Sequence, residues 1–151
     1  MENNNDKIDN NSFPFNLILL CELTKSSYGN YDLDNTFTVF KTVDNLLYLV
    51  YSTKNKSIIC LDLDKKQVIN EIKNHHKKHL SNLRHFFDEI NKRDLIISIS
   101  DRDNNLRIWN VKNWDCILNI PDINSIGYIC SACIINDSNE NYIISSNCNV
   151  S

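Results

Sequence analysis

Short apolar runs recur along the chain every 8–12 residues, divided by turn-forming residues. They fall at 36–41, 46–51, 57–63, 68–72, 95–100, 106–111, 116–120, 129–135 and 142–146. The runs are rich in Ile, Val, Tyr and Phe, and each is too short for a free-standing helix, so the pattern predicts an all-β sandwich, barrel or propeller. Residues 80–90, LSNLRHFFDEI, carry apolar side chains at 80, 83, 86, 87 and 90, a spacing that also suits a helix.

Self-similarity decides between these readings. Slid by 48 residues, LYLVYSTKNKSIICLDLDKKQVINEI (47–72) lies without a gap on LIISISDRDNNLRIWNVKNWDCILNI (95–120). Leu47 meets Leu95, Ser52 meets Ser100, Ile69 meets Ile117, and Leu61-Asp62 meets Trp109-Asn110. A further slide of about 47 brings YIISSN (142–147) onto LIISIS and ICSACII onto NLRHFFD. Apolar class and turn position agree throughout. The period lies just above that expected of four-stranded propeller blades, and it makes 80–90 a strand.

The second repeat adds a more specific signal. It holds His79, then Ser98, Asp103 and Trp109-Asn110, within the strand–turn–strand stretch LIISISDRDNNLRIWNV. Residues 79–120 thereby resemble a WD-repeat, in which a His precedes the first strand, a Ser or Thr sits in the second, an Asp caps the following turn and a Trp-Asp pair ends the third. The likeness extends more weakly over 36–151. It implies an incomplete β-propeller of about two and a half four-stranded antiparallel blades: 36–73, 79–120 and a partial third at 126–151. It also implies a structural network of His79, Ser98, Asp103 and Trp109, since a buried indole N–H needs an acceptor that hydroxyl, imidazole and carboxylate can relay. The sequence departs from the family at Lys78, where a Gly is usual, and at Asn110, where an Asp is. The first repeat has Leu61-Asp62 and lacks the His and the Trp.

Composition narrows the partners. The 151 residues hold 42% apolar side chains, enough for a core, and a net charge of −3. That balance argues against a general nucleic-acid binder, and no apolar run reaches the roughly 20 residues of a membrane span. The chain has two Gly and two Pro beside 25 Asn. Asn tolerates the left-handed backbone region and closes Asx-turns, so Asn55, Asn104 and Asn105 are expected to fill turns where Gly often stands. Residues 1–12 form an Asn-rich tail expected to be disordered, and 13–35 a lead-in. The acidic flank of the apolar stretch 13–21 and the absence of a small-residue cleavage site predict a cytoplasmic protein, whose six cysteines need not pair. Propellers close with typically 4–8 blades. The sequence therefore reads as a fragment, or a chain completed by further blades from a C-terminal portion or a second chain, with an open strand edge at 142–146.

Candidate chemistry is sparse. Cys130 and Cys133 form one Cys-x-x-Cys, half of a zinc site at most, and residues three apart on a strand face opposite ways; small core cysteines are expected. His75, His76, His79 and His85 lie near Lys73, Lys77 and Lys78 in what reads as a solvated inter-blade loop. Asp62/Asp64 and Asp101/Asp103 read as turn acceptors. With only Gly29 and Gly127, no Gly-rich phosphate loop is present. Lys54 and Arg102 occupy equivalent turn positions in successive repeats, on the face that the WD-repeat likeness implies for partner docking. The expected function is a non-enzymatic protein–protein interaction scaffold without a cofactor. The alternative is a small ligand- or zinc-binding β-domain using the His75–His79 cluster and Cys133.

Overall fold

A computed structural model describes residues 33–73, 76–100, 103–121, 128–137 and 139–148. Among them every regular element is a strand. The first sheet contains β1 (Leu33–Lys41), β2 (Leu47–Thr53), β3 (Ile58–Asp62) and β4 (Gln67–Ile72); the second contains β5 (Asn82–Asp88), β6 (Arg93–Ser100), β7 (Asn105–Asn110) and β8 (Cys116–Ile120). The third holds β9 (Tyr128–Asp137) and β10 (Glu140–Cys148). All pairing is antiparallel between strands consecutive in sequence. The described residues are therefore all-β, two four-stranded blades and a two-stranded one in an incomplete propeller-like array. The window at 80–90 holds strand β5, whose seven residues pair one for one with β6 from Asn82↔Ile99 to Asp88↔Arg93.

The 48-residue repeat reappears in the backbone. Left-handed φ angles occur at Lys56 (64°) and Asn104 (51°), and again at Lys66 (54°) and Trp114 (60°). Each pair is separated by the sequence repeat, so equivalent turns of the two blades use the same backbone. Asn45 (68°) and Lys92 (50°) match in the same way with a spacing of 47. The turn expectation holds at Asn104, but Lys56 takes the corresponding place in the first blade, not Asn55, and Asn105 already belongs to β7. Outside Gly, the left-handed conformation brings Cβ against the next carbonyl, costing roughly 1–2 kcal/mol per residue.

The second sheet lies between the other two and is covered on both faces. Ile96 and Trp109 face the first sheet, forming a cluster with Phe40, Val50, Ile58, Cys60 and Ile72 that Leu80 and Leu83 complete. Leu95, Ile97, Ile99 and Ile108 face the third sheet and meet Ile129, Ala132 and Ile134. Double coverage explains why LIISIS lacks the apolar–polar alternation of a half-exposed strand. Each such Ile or Leu contributes roughly 1.5–3 kcal/mol on burial. A third cluster, Leu49, Tyr51, Ile59 and Leu61, lies on the other face of the first sheet. The sheets touch along their first strands, with β5 against both β1 and β9. The fourth strands, β4 and β8, are mostly exposed.

Candidate functional site

The repeat places Ser98 and Trp109 on one face of neighbouring strands, where Ile96 pairs with Trp109 and Ser98 with Arg107. The indole Nε1–H of Trp109 donates to Ser98 Oγ at 2.8 Å. The same oxygen lies 2.9 Å from Nε2 of a histidine, and that histidine is His76. His76 Nδ1 is 3.7 Å from Asp103 Oδ1, while Asp103 Oδ2 accepts the backbone N–H of Lys77 at 2.7 Å. A carboxylate beside Nδ1 favours a proton there. Nε2 then accepts the Ser98 hydroxyl, and that hydroxyl oxygen accepts the indole N–H. This tautomer is assigned from the network.

The structure thus brings Ser98, Asp103 and Trp109 together with His76 in place of His79. His79 is exposed. Leu80 beside it enters the core, and Ser81 N donates to Ile99 O. The chain at 79–81 is already running along the end of β6. The histidine that can fold back over Ser98 must stand earlier in the loop, and among His75, His76 and His79 the sequence spacing alone does not choose it. His75 lies outside the described residues.

Ser, His and Asp side chains meet here, yet Ser98 is 0% exposed and His76 only 3%. With the serine oxygen already accepting an indole proton, the set has the form of a structural relay. It ties the turn holding Asp103 and the loop holding His76 and Lys77 to the blade interior.

Two further polar hubs escaped the sequence reading. His85 Nε2 lies 2.8 Å from Asp94 Oδ1, and its ring stacks on Phe40 with centroids 3.9 Å apart and an interplanar angle of 5°. Asp94 Oδ2 accepts the backbone N–H of Val43 at 2.8 Å. This cluster fastens the second sheet to the first. Asp88 fastens it to the third. Burial pushes the Asp88 carboxyl upward, but hydrogen bonds from Asn141 Nδ2 (3.0 Å), Asn91 Nδ2 (2.8 Å), Asn91 N (3.2 Å) and Arg93 Nε (3.0 Å) outweigh it and hold the group at about 2. Asp62 is a smaller version: the backbone N–H of Lys65 at 2.9 Å, with the Lys65 ammonium 3.1 Å away, holds its carboxyl below the usual range. The repeat could have exposed neither inter-blade hub, because both depend on side chains meeting across sheets.

At the other candidate positions, Lys54 is exposed in the turn after β2, and its repeat partner Arg102 lies outside the described residues. Cys60 is buried, Cys133 half-buried and Cys116 exposed, all as free thiols. Burial, reinforced by the Asp62 charge, pushes the Cys60 thiol up to about 12. Cys130 departs from the expectation of unpaired core cysteines, being disulfide-bonded. Among the described residues no three His, Cys, Asp or Glu side chains group so as to hold a metal ion, and no helix is long and apolar enough to cross a membrane.

No protein-family model matches the chain, and no curated protein sequence matches it.

Proposed function

We propose that the chain is a non-enzymatic protein–protein interaction scaffold of WD-repeat type. The observation that carries this reading is the anchoring of loops to the blade interior. Asp103 caps the turn into β7 and holds the backbone of Lys77, while His76 beside it reaches the buried Ser98. Loops held in this way lose little freedom on binding, which favours affinity, and a rigid β framework carrying exposed loops is a common basis of recognition. We propose the turns bearing Lys54 and Arg102 as the docking face and other proteins as the partners, with no role for nucleic acid or membrane. The proposed setting is cytoplasmic. A reducing setting would leave Cys130 a thiol, as Cys60, Cys116 and Cys133 are, and not disulfide-bonded, so a thiol count on the freshly isolated chain under non-reducing conditions tests it.

The test of the docking face is quantitative co-purification with the wild-type chain, the Lys54→Glu/Arg102→Glu variant and a Lys66→Glu control. Loss of partners from the double variant alone supports the reading. Retention of every partner by the double variant overturns it.

A further inference from the structure

We infer that the cleft between the first and second sheets, at the end bearing the turns after β1, β5 and β7, binds a small organic anion with an aromatic body. It lies at the opposite end of the strands from the turns after β2 and β6, proposed above as the docking face.

The cleft follows from how the two sheets are joined. Asp94, near the start of β6, accepts the backbone N–H of Val43 at 2.8 Å on one carboxylate oxygen and holds His85 at 2.8 Å on the other. Its carbonyl accepts the N–H of Val111 at 3.0 Å. Three segments are thus tied to one residue, and the space left among them is about 440 Å³, within the roughly 300–1,000 Å³ of small-molecule sites. The walls are preformed. In the turn after β1, Asn45 N donates to Thr42 O at 2.9 Å and Leu46 N to Thr42 Oγ1 at 3.1 Å. In the turn after β7, Trp114 N donates to Asn110 O at 2.7 Å and Lys112 N to Asn110 Oδ1 at 3.1 Å. Little freedom remains to be lost on binding.

The lining is apolar with a cationic rim. Val43, Tyr48 and Val111 form the apolar part. Val43 is 58% exposed although Asp94 fixes its backbone. The Tyr48 ring stands edge-on to Phe40, with centroids 6.1 Å apart, and burial pushes its hydroxyl above the usual range, so it stays a donor at neutral pH. Lys92 and Lys112 supply the rim, both exposed. Lys92 pairs with Glu89 at 2.9 Å, whereas Lys112 belongs to no salt bridge among the described residues. Of the carboxylates, Asp94 has both oxygens engaged and Asp44 is exposed. An apolar wall beside an ammonium and a phenol donor suits an aromatic ring bearing one anionic group.

The cleft is built of described residues. The strand ends that lead into 1–32, 74–75, 101–102, 122–127 and 149–151 all lie at the other end of the sheets, and residue 138 joins the two strands of the third sheet.

The probe is naphthalene sulfonate, titrated into the whole chain with Ile and Val methyl labels and followed by nuclear magnetic resonance. The methyl signals of Val43 and Val111 should shift saturably, with a Kd below about 1 mM, while those of Val39 and Ile144, exposed elsewhere, stay in place. Lys112→Glu should weaken binding at least about fivefold, and Asp44→Asn should leave it equal or tighter. Both positions are exposed, so folding is kept. Naphthalene methanol, with the ring and no charge, and methanesulfonate, with the charge and no ring, should each bind at least about fivefold more weakly. No saturable shift up to about 1 mM, shifts as large at Val39 and Ile144, equal binding of the neutral ring or of the bare anion, or insensitivity to Lys112→Glu overturns the proposal.

Discussion

Replacing Ser98 by Ala tests the buried relay with the smallest possible change. The substitution removes one oxygen and leaves the strand geometry intact. That oxygen lies 2.8 Å from the Trp109 indole nitrogen and 2.9 Å from His76 Nε2, and all three side chains are buried. Its loss strands two polar groups away from water, each costing about 1–3 kcal/mol. Part of this is recovered because the Ser98 hydroxyl no longer has to be desolvated. The net expectation is a destabilisation of about 2–4 kcal/mol. Ser100 provides the control on the same strand: it is equally buried, but among the described residues its hydroxyl has no hydrogen-bond partner. Ser100→Ala should be neutral or stabilise by up to about 1 kcal/mol, because it removes an unsatisfied buried group. Urea unfolding followed by Trp fluorescence and far-UV circular dichroism gives both values, with unchanged slopes confirming that stability alone moved. A Ser98→Ala/Trp109→Phe double-mutant cycle should show a coupling of at least about 0.5 kcal/mol. If Ser98→Ala and Ser100→Ala shift stability by the same amount, or Ser98→Ala costs under about 0.5 kcal/mol, the relay does not hold the blade together.

Other consequences follow from the same geometry. Lys56→Gly and Lys66→Gly should each raise stability by about 0.5–1 kcal/mol in urea unfolding, since relief of the left-handed strain exceeds the extra chain entropy of Gly. Acid should unfold the chain in a step that Asp88→Asn flattens. The folded carboxyl titrates at about 2, below its ordinary 3.8, so its contribution is complete above pH 4–5 and lost as pH falls towards 2. After allowance for screening it is worth roughly 1–2 kcal/mol, readable by circular dichroism against pH. Thiol labelling at pH 8 should modify the exposed Cys116 rapidly and leave Cys60 unmodified until the protein unfolds, as the buried thiol stays protonated.

The fold was legible because one period governs both sequence and backbone. Apolar runs at 47–52 and 95–100 became β2 and β6, and the turns between them recur with matching left-handed residues. Even β5, ambiguous by periodicity, followed from the repeat. What the repeat could not reach were features without a repeating partner. The relay histidine lies in a loop with several candidates, and its identity depends on how that loop turns back over Ser98. His85, Asp94 and Asp88 are joined by contacts between blades. Such contacts join residues distant in sequence, as Asn141 and Asp88 are, and leave no pattern along the chain. The lysines at left-handed positions also defeated the composition argument, which looked to Asn where Gly was scarce.

The central claim is that the second sheet is sandwiched between the other two with adjacent residues facing opposite ways. Methyl–methyl nuclear Overhauser effects on a selectively Ile- and Val-labelled sample test it most directly. The account predicts cross-peaks from Ile96 to Val50 of the first sheet and from Ile97 to Ile134 of the third. Cross-peaks from Ile96 to Ile134, or from Ile97 to Val50, would contradict the stacking and the blade array built on it.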